Sequence, residues 1–289
     1  MMSIIVSVLF DAALLTLTLA LAALGLAVIY GLMGVINMGH GAMLTLGAYL
    51  TWAATSRGIP FVFSVLLAAL IVGVIGLLLE HLVIRHFYDK PFETLLITWG
   101  FFLIMTELIK IVFGTDLRNV KNPLPDSINL GIVELPAYQS LLACISLFLI
   151  FTLAVVFYHT SLGIKIRALI QNREMASLLG VNIAYMYKMV FVAGSCIAGL
   201  AGALISPLLS VDPYIGMVFL ARSFFVVIVG GIGQILGGTL VGSFLIGGSE
   251  TFFAALQFKQ TFAQTIVFAL AIVVLRFRPS GLWTVQGRR

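Results

Sequence analysis

The sequence predicts an all-α polytopic integral membrane protein with about eight to ten transmembrane helices, glycine-broken segments and no soluble domain. Of its 289 residues, 61% are hydrophobic and only 9% are charged, whereas roughly a quarter of the residues in a soluble domain are charged. Apolar runs of helix-spanning length recur along the whole chain. A transmembrane β-barrel would instead need short segments of alternating polarity.

Nine apolar segments give this helix count, although several are shorter than the roughly 20 residues that a straight crossing needs. They are 9–30, 42–56, 61–79, 94–113, 140–158, 187–206, 217–230, 235–255 and 262–275. We expect the first to be a span, because it is too long for a signal peptide. The stretches around 31–41 and 230–238 are rich in glycine and are predicted to be half-helices or re-entrant turns.

The lysines and arginines predict the orientation of the chain, because short cytoplasmic loops are enriched in these residues. The loop with Arg85 and Lys90, the loop 159–188 and the C-terminal tail from Arg276 are basic and are expected in the cytoplasm. The segment 114–139 carries both charges and is placed outside. The N-terminus is then outside and the C-terminus cytoplasmic. The net charge of +5 reflects this topology and does not indicate nucleic-acid binding.

Motifs for ATP hydrolysis and for catalysis are missing from the sequence. There is no GxxxxGK[ST] phosphate loop, and the four histidines show no metal-ligand spacing. The glycine runs GGIGQILGG (230–238) and GLAGAL (199–204) are typical of close helix packing. If transport is active, its energy comes from an ion gradient or from a partner protein.

Few ionisable residues lie at membrane depth, where they are costly and often functional. Glu107 and Lys110 are three residues apart and can pair on one helix face, and Glu250 lies near the end of its segment. This pattern gives little support to a gradient-driven carrier. A carrier of this kind, or a channel, is the alternative to a transporter that is driven by a partner protein. An intramembrane enzyme has no candidate catalytic residues.

The stretch SLGIKIRALIQNREMASLLGVN (161–182) carries clear local signals in a loop that is expected in the cytoplasm. Asn172 is a favourable N-cap, and Glu174 complements the positive end of the helix dipole. Gly180 suits the position just after a helix C-terminus. These signals predict a short helix over 173–179, about 10 Å long.

The predicted helix has one apolar face, formed by Met175, Leu178 and Leu179 at helical spacing. Two alternatives remain open for this face. It lies against the protein's own membrane domain, or it inserts into a groove on a partner.

Four blocks of the sequence, one of which contains a shorter motif, resemble a known transporter family. EMASLLG (174–180) resembles the EAA-xxx-G coupling motif of ABC-importer permeases, with Met175 in place of the first alanine. The four blocks resemble permeases of branched-chain amino acid and urea/amide importers and stand in the expected order. They are GLMGVINMGHGAMLTLGAY (31–49), IRALIQNREMASLLGVN (166–182), VVIVGGIGQILGGTLVGSFLIG (226–247) and RFRPSGLW (276–283). The resemblance covers nearly the whole chain.

The resemblance implies that residues 1–289 form one permease domain in a bacterial cytoplasmic membrane, with a cytoplasmic coupling loop at about 159–188. It implies a second, related permease subunit, an external substrate-binding protein and two cytosolic ATPase subunits, which bind ATP and magnesium. The chain itself is then non-catalytic, with no cofactor or metal. The implied ATPase-coupling residues are Asn172, Arg173, Glu174, Met175, Ala176, Leu178, Leu179 and Gly180.

The resemblance leaves two solute classes open. FETLLITWGFFLI (92–104) and IQNREMA (170–176) look closer to urea permeases than to those for leucine, isoleucine and valine. Urea permeases often have an acidic residue at the position that Ala42 occupies after Gly41. The first observation favours urea and the second counts against it. We expect urea or a short amide only slightly ahead of a branched-chain amino acid.

The run GVINMGHG is expected to interrupt a helix and to expose backbone polar groups at a cavity. Asn37 and His40 are therefore candidates for the substrate pathway, with Thr98 and Trp99 as companions. The alternative is a packing role, in which Asn37 and His40 bond to a neighbouring helix.

Overall fold

A computed structural model describes residues 2–129, 134–231, 235–256, 260–278 and 281–282. The helices are α1 (Met2–Met33), α2 (His40–Thr55), α3 (Phe61–Leu82), α4 (Pro91–Phe113), α5 (Ala137–His159), α6 (Ser161–Gln171), α7 (Arg173–Leu178), α8 (Ile183–Ile205), α9 (Ile215–Gly230), α10 (Ile235–Ser243), α11 (Ser249–Ala255) and α12 (Gln260–Phe277). The short strands β1 (Ser127–Asn129) and β2 (Glu134–Pro136) pair antiparallel, with Ile128 opposite Leu135. No soluble domain is visible among the described residues.

Within the described residues, six segments are long and apolar enough to cross a membrane. They are Val6–Met33, Phe61–His86, Pro91–Phe113, Ala137–His159, Ile183–Ile205 and Ile235–Ala255. Ile215–Gly230 and Gln264–Phe277 are apolar but shorter. With 16 residues, α2 is about 24 Å long and does not reach across a hydrocarbon core of about 30 Å. The count of eight to ten transmembrane helices therefore stays a prediction.

Helix α8 lies at the centre of the bundle and packs against α1, α2 and α3. The helix backbones come into close contact at glycines. At Gly202, an added Cβ atom would collide with the Leu44 carbonyl of α2. One at Gly47 would collide in the same way with the Gly199 carbonyl of α8. The predicted packing role of GLAGAL (199–204) is confirmed, since small residues let helices approach closely.

Helices α3, α4 and α5 form the outer side of the bundle and present apolar side chains outward. Leu70, Ile104 and Phe148 are examples, with exposed fractions of 65%, 59% and 67%. In a lipid bilayer such surfaces contact acyl chains, and no other element needs to cover them.

Contacts between loops show which connections share an end of the bundle. At one end, the Arg173 guanidinium pairs with Asp89 at 2.6 Å and joins the α3–α4 loop to α7. At the other end, Arg118 and Val211 exchange backbone hydrogen bonds of 3.0 and 2.7 Å. The loop with Arg85 and Lys90 therefore lies on the same side as α7, opposite the segment that was expected outside.

The helix limits differ from the expectations at several places. The predicted helix over 173–179 ends at Leu178, because Leu179 leaves the helical conformation with φ −82° and ψ 10°. The sequence did not indicate α6, which follows α5 almost without interruption. The predicted break at 230–238 separates α9 from α10, but residues 232–234 lie outside the described residues.

Candidate functional site

The chain between α1 and α2 is a re-entrant turn. After α1 ends at Met33, Gly34 adopts φ +66°, a conformation that favours glycine, and the chain turns back towards the bundle. The side chain of His40, the first residue of α2, reaches the Ala22 carbonyl of α1 at 2.8 Å. Since Ala22 lies about 16 Å before Met33 along α1, α2 begins deep inside the bundle. The predicted helix break is present.

Asn37 is buried in this turn, and its side chain makes no hydrogen bond to any residue that the structure describes. Its side chain is 1% exposed, and neither amide atom has a partner among the described residues. A Cβ atom at Gly39 would lie 3.1 Å from Asn37 Oδ1 and 3.4 Å from the Thr98 carbonyl. Thr98 Oγ1 also accepts a hydrogen bond from the Met38 amide at 3.1 Å. The structure therefore brings two of the predicted pathway residues, Asn37 and Thr98, to one place.

His40 and Trp99 serve packing in this structure. His40 is fully buried and its Nε2 donates to the Ala22 carbonyl of a neighbouring helix. Trp99 stacks on Phe102, with ring centroids 5.4 Å apart. The turn thus combines a packing histidine with an unsatisfied asparagine.

Helix α7 is defined by its caps. Asn172 Oδ1 accepts a hydrogen bond from the Met175 amide at 2.9 Å, which confirms the predicted N-cap. Gly180 follows the helix with φ +85°, and the Val181 amide donates back to the Ala176 carbonyl at 3.1 Å. Glu174 lies exposed in the first turn.

The apolar face of α7 points away from the protein. Leu178 and Leu179 are 82% and 77% exposed, and Met175 is 55% exposed. Ala176, on the other side of the helix, is buried against the membrane domain. Of the two alternatives for this face, packing against the protein's own membrane domain is therefore wrong.

An ion pair joins α9 to α11, and its arginine was not among the residues predicted from the sequence. Arg222 Nη2 lies 3.2 Å from Glu250 Oε1, and the two side chains are 12% and 7% exposed. Gln264 of α12 donates to the same oxygen at 3.2 Å. The signal was available, because Arg222 is a charged residue inside the apolar run 217–230.

A second buried carboxylate, Glu80, was also missed. It lies in the last turns of α3, is 1% exposed, and accepts a hydrogen bond from the Tyr88 hydroxyl. The predicted pair of Glu107 and Lys110 is confirmed, with 2.7 Å between Oε1 and Nζ.

The family model for the permease component of branched-chain amino acid transport systems matches residues 8–275. The chain belongs to this family. The family and the six apolar segments together make it a multi-pass membrane protein with the role of a transport subunit.

Relatives from bacteria and an archaeon match over almost their full length. BraD of Pseudomonas aeruginosa, a high-affinity branched-chain amino acid transport system permease protein, is 27% identical over 281 residues, 92% of this chain and 91% of the relative. LivH of Escherichia coli K12, described in the same words, is 27% identical with the same coverage. A probable LivH of Methanocaldococcus jannaschii is 26% identical over 94% of this chain and 90% of its own. No solved structure matches significantly.

Proposed function

We propose that this chain is the transmembrane permease subunit of an ATP-driven ABC importer, coupled to separate ATPase subunits through α7. The observation that carries the proposal is a capped helix whose two leucines are 82% and 77% exposed in a loop between membrane helices. Exposed leucines next to each other are typical of a surface that a partner protein covers.

The proposed complex contains this chain, a second, related permease subunit, two cytosolic ATPase subunits and an external substrate-binding protein. The ATPase subunits bind ATP and magnesium, so this chain needs neither a cofactor nor a metal for its part. Residues 1–289 act as one permease domain in a bacterial cytoplasmic membrane, with the loop 159–188 and the C-terminus in the cytoplasm. This orientation follows from the basic residues of the loops.

The proposed docking contact consists of Met175, Leu178 and Leu179 in an ATPase groove. The caps formed by Asn172 and Gly180 hold the helix in shape, so that little ordering entropy is lost on docking. Closure of the ATPase subunits on ATP then moves α7. The remaining coupling residues support this contact: Arg173, Glu174 and Ala176.

Movement reaches the interior through α8, which begins at Ile183, five residues after α7 ends at Leu178. Helix α8 touches α2 at Gly199 and Gly202, and α2 starts at the re-entrant turn. Close-packed interfaces shift as units and do not deform continuously. A tilt of α8 therefore changes the position of the turn and opens or closes access to it.

The proposed pathway passes the re-entrant turn, where Asn37 and Thr98 provide polar groups. Asn37 supplies both a donor and an acceptor that have no partner among the described residues. His40 and Trp99 shape the wall of this pathway from behind.

The proposed solute is a branched-chain amino acid, because the named relatives are branched-chain amino acid permease proteins. A second candidate is urea or a short amide. It is favoured by the unpaired carboxamide of Asn37, since an amide solute could both donate to it and accept from it without a charged partner. Uptake of labelled leucine by the reconstituted complex, with valine, urea and acetamide as competitors, decides between them.

The docking role is tested with Leu178→Asp in the complex of permease, ATPase and binding protein. We expect at least a tenfold loss of ATPase association, measured by co-purification, and a parallel loss of uptake. Ser177→Asp is the matched control, because it adds the same charge to an exposed position outside the leucine pair. Normal association and uptake of Leu178→Asp would overturn the docking role. Uptake by this chain alone, without ATP, would favour a gradient-driven carrier or channel.

A further inference from the structure

The first residue of α7 is attached to two other elements. Arg173 Nη1 pairs with Asp89 Oδ1 of the α3–α4 loop at 2.6 Å. The guanidinium carbon of Arg173 also lies 5.3 Å from the centroid of the Tyr187 ring on α8, a distance typical of a cation–π contact. A displacement of α7 therefore pulls on both the loop and α8.

The contacts continue from Tyr187 towards the membrane. The rings of Tyr187 and Tyr88 meet edge to face, with centroids 4.9 Å apart and planes at 87°. The Tyr88 hydroxyl then donates a hydrogen bond to Glu80 Oε1 of α3. Burial and this hydrogen bond raise the pKa of Tyr88, so that its hydroxyl stays protonated and remains a donor.

Glu80 ends this series of contacts inside the protein. The residue is 1% exposed, and its Oε2 has no partner among the described residues. Burial of a polar group that is only partly bonded costs free energy, and the Tyr88 hydroxyl is therefore an important partner for Glu80. Helix α3 is in turn packed tightly on α8, because a Cβ atom at Gly76 would collide with the Ser195 side chain.

We propose that five side chains form a relay that transmits the movement of α7 to α3 and α8, so that these two packed helices move together. The relay consists of Glu80, Tyr88, Asp89, Arg173 and Tyr187. The proposal rests on the docking role of α7 but assigns a separate task, since the leucines bind the ATPase and the relay transmits its motion. Its members are positioning residues, and their loss lowers the amount of solute moved per ATP without preventing assembly.

The decisive variant is Tyr88→Phe, which removes the hydroxyl bonded to Glu80 and keeps the ring that contacts Tyr187. In the reconstituted complex with ATPase and binding protein, we expect normal co-purification and normal ATP hydrolysis. The ratio of solute taken up to ATP hydrolysed falls by about two- to tenfold. Tyr185→Phe is the matched control, because Tyr185 lies on α8, is 54% exposed, and has no hydroxyl partner like that of Tyr88 within the part of the chain that the structure describes.

A second variant, Asp89→Asn, guards against a folding defect in Tyr88→Phe. The Asp89 side chain is 80% exposed, and ion pairs at such positions add little to stability, so this variant is expected to fold. We expect its ratio of solute to ATP to fall by about twofold. A glutamine at Glu80 still accepts from Tyr88, and Glu80→Gln should therefore retain more coupling than Glu80→Leu.

The outcomes separate the relay from the docking role. If both Tyr88→Phe and Asp89→Asn move as much solute per ATP as the wild type, the relay is wrong and the docking role stands. If the wild-type chain does not associate with an ATPase at all, the docking role fails, and the relay fails with it. A third outcome is that Asp89→Asn moves less solute per ATP while Tyr88→Phe folds and moves as much as the wild type. This result would overturn the path through Glu80 and leave only the contact between α7 and the α3–α4 loop.

Discussion

The re-entrant turn between α1 and α2 and the short helix α7 differ in the side chains that have no partner within the described part of the chain: the turn buries a polar one, and α7 exposes apolar ones. In the turn, the polar side chain of Asn37 is 1% exposed and unbonded among the described residues. In α7, the apolar side chain of Leu178 is 82% exposed. Each reverses the usual rule for its residue type. The proposed function assigns a different kind of contact to each region, namely a polar solute at the turn and a protein groove at the helix.

The two regions also differ in what holds them. Helix α7 depends on caps from its own neighbourhood, Asn172 before it and Gly180 after it. The turn depends on distant residues, because Gly25 of α1, Gly194 of α8 and His40 of α2 meet behind it. Changes at the turn should therefore affect the stability of the whole bundle, whereas changes at α7 should remain local.

The largest effect is expected from Gly25→Ala, at the wall of the turn. The new Cβ atom would lie 2.5 Å from the Gly194 carbonyl and 3.0 Å from His40 Cε1, so the helices must move apart. We expect a loss of about 1–3 kcal/mol in the free energy of unfolding, measured by denaturation in detergent.

Gly100→Ala in α4 is the control for this change, because among the described residues no atom outside the adjacent backbone of α4 lies within 4 Å of the added Cβ. We expect it to keep the stability or to raise it by up to about 1 kcal/mol, since alanine favours helices. Equal losses in the two variants would show that the contact behind the turn is not tight.

Smaller changes in stability are expected from His40→Leu and Asn37→Leu, and the two variants should differ in direction. His40→Leu loses the hydrogen bond to the Ala22 carbonyl and should cost about 1 kcal/mol. Asn37→Leu removes a buried, unbonded amide and should leave the stability unchanged or increase it. Thermal unfolding of the two variants measures this.

Uptake by Asn37→Leu in the reconstituted complex completes this comparison. We expect uptake to fall even though the protein is at least as stable, because the proposed pathway loses the polar group of Asn37. A strongly destabilised Asn37→Leu would mean that Asn37 bonds to the protein, and normal uptake would assign it to packing.

The smallest effect is expected from Asn172→Ala, which removes the N-cap of α7. The loss of the bond to the Met175 amide should destabilise this six-residue helix by about 0.5–1 kcal/mol. Hydrogen exchange of the α7 amides should become faster, while the unfolding temperature of the membrane domain stays the same.

Asn182→Ala is the matched control, since Asn182 caps α8 through the Tyr185 amide at 3.0 Å. This variant should leave the exchange of α7 unchanged. Slower folding or a lower unfolding temperature in Asn172→Ala would contradict the local character of α7.

The sequence by itself determined the membrane class, the family and most of α7. Spans follow from long apolar runs, and the limits of α7 follow from Asn172 and Gly180, because caps act within a few residues. The helix break near Gly34 was predictable for the same reason, since glycine runs disfavour helix locally. The solute and the number of crossings were not determined in this way.

Only the tertiary structure decided which distant side chains meet. Thr98 next to Asn37 joins α4 to the re-entrant turn, and His40 on the Ala22 carbonyl and Arg222 on Glu250 join different helices. Such pairs depend on the rotation and depth of each helix, which are set by packing over the whole bundle. The direction in which the leucines of α7 point was decided in the same way, because an apolar stripe indicates a buried face without showing which surface covers it.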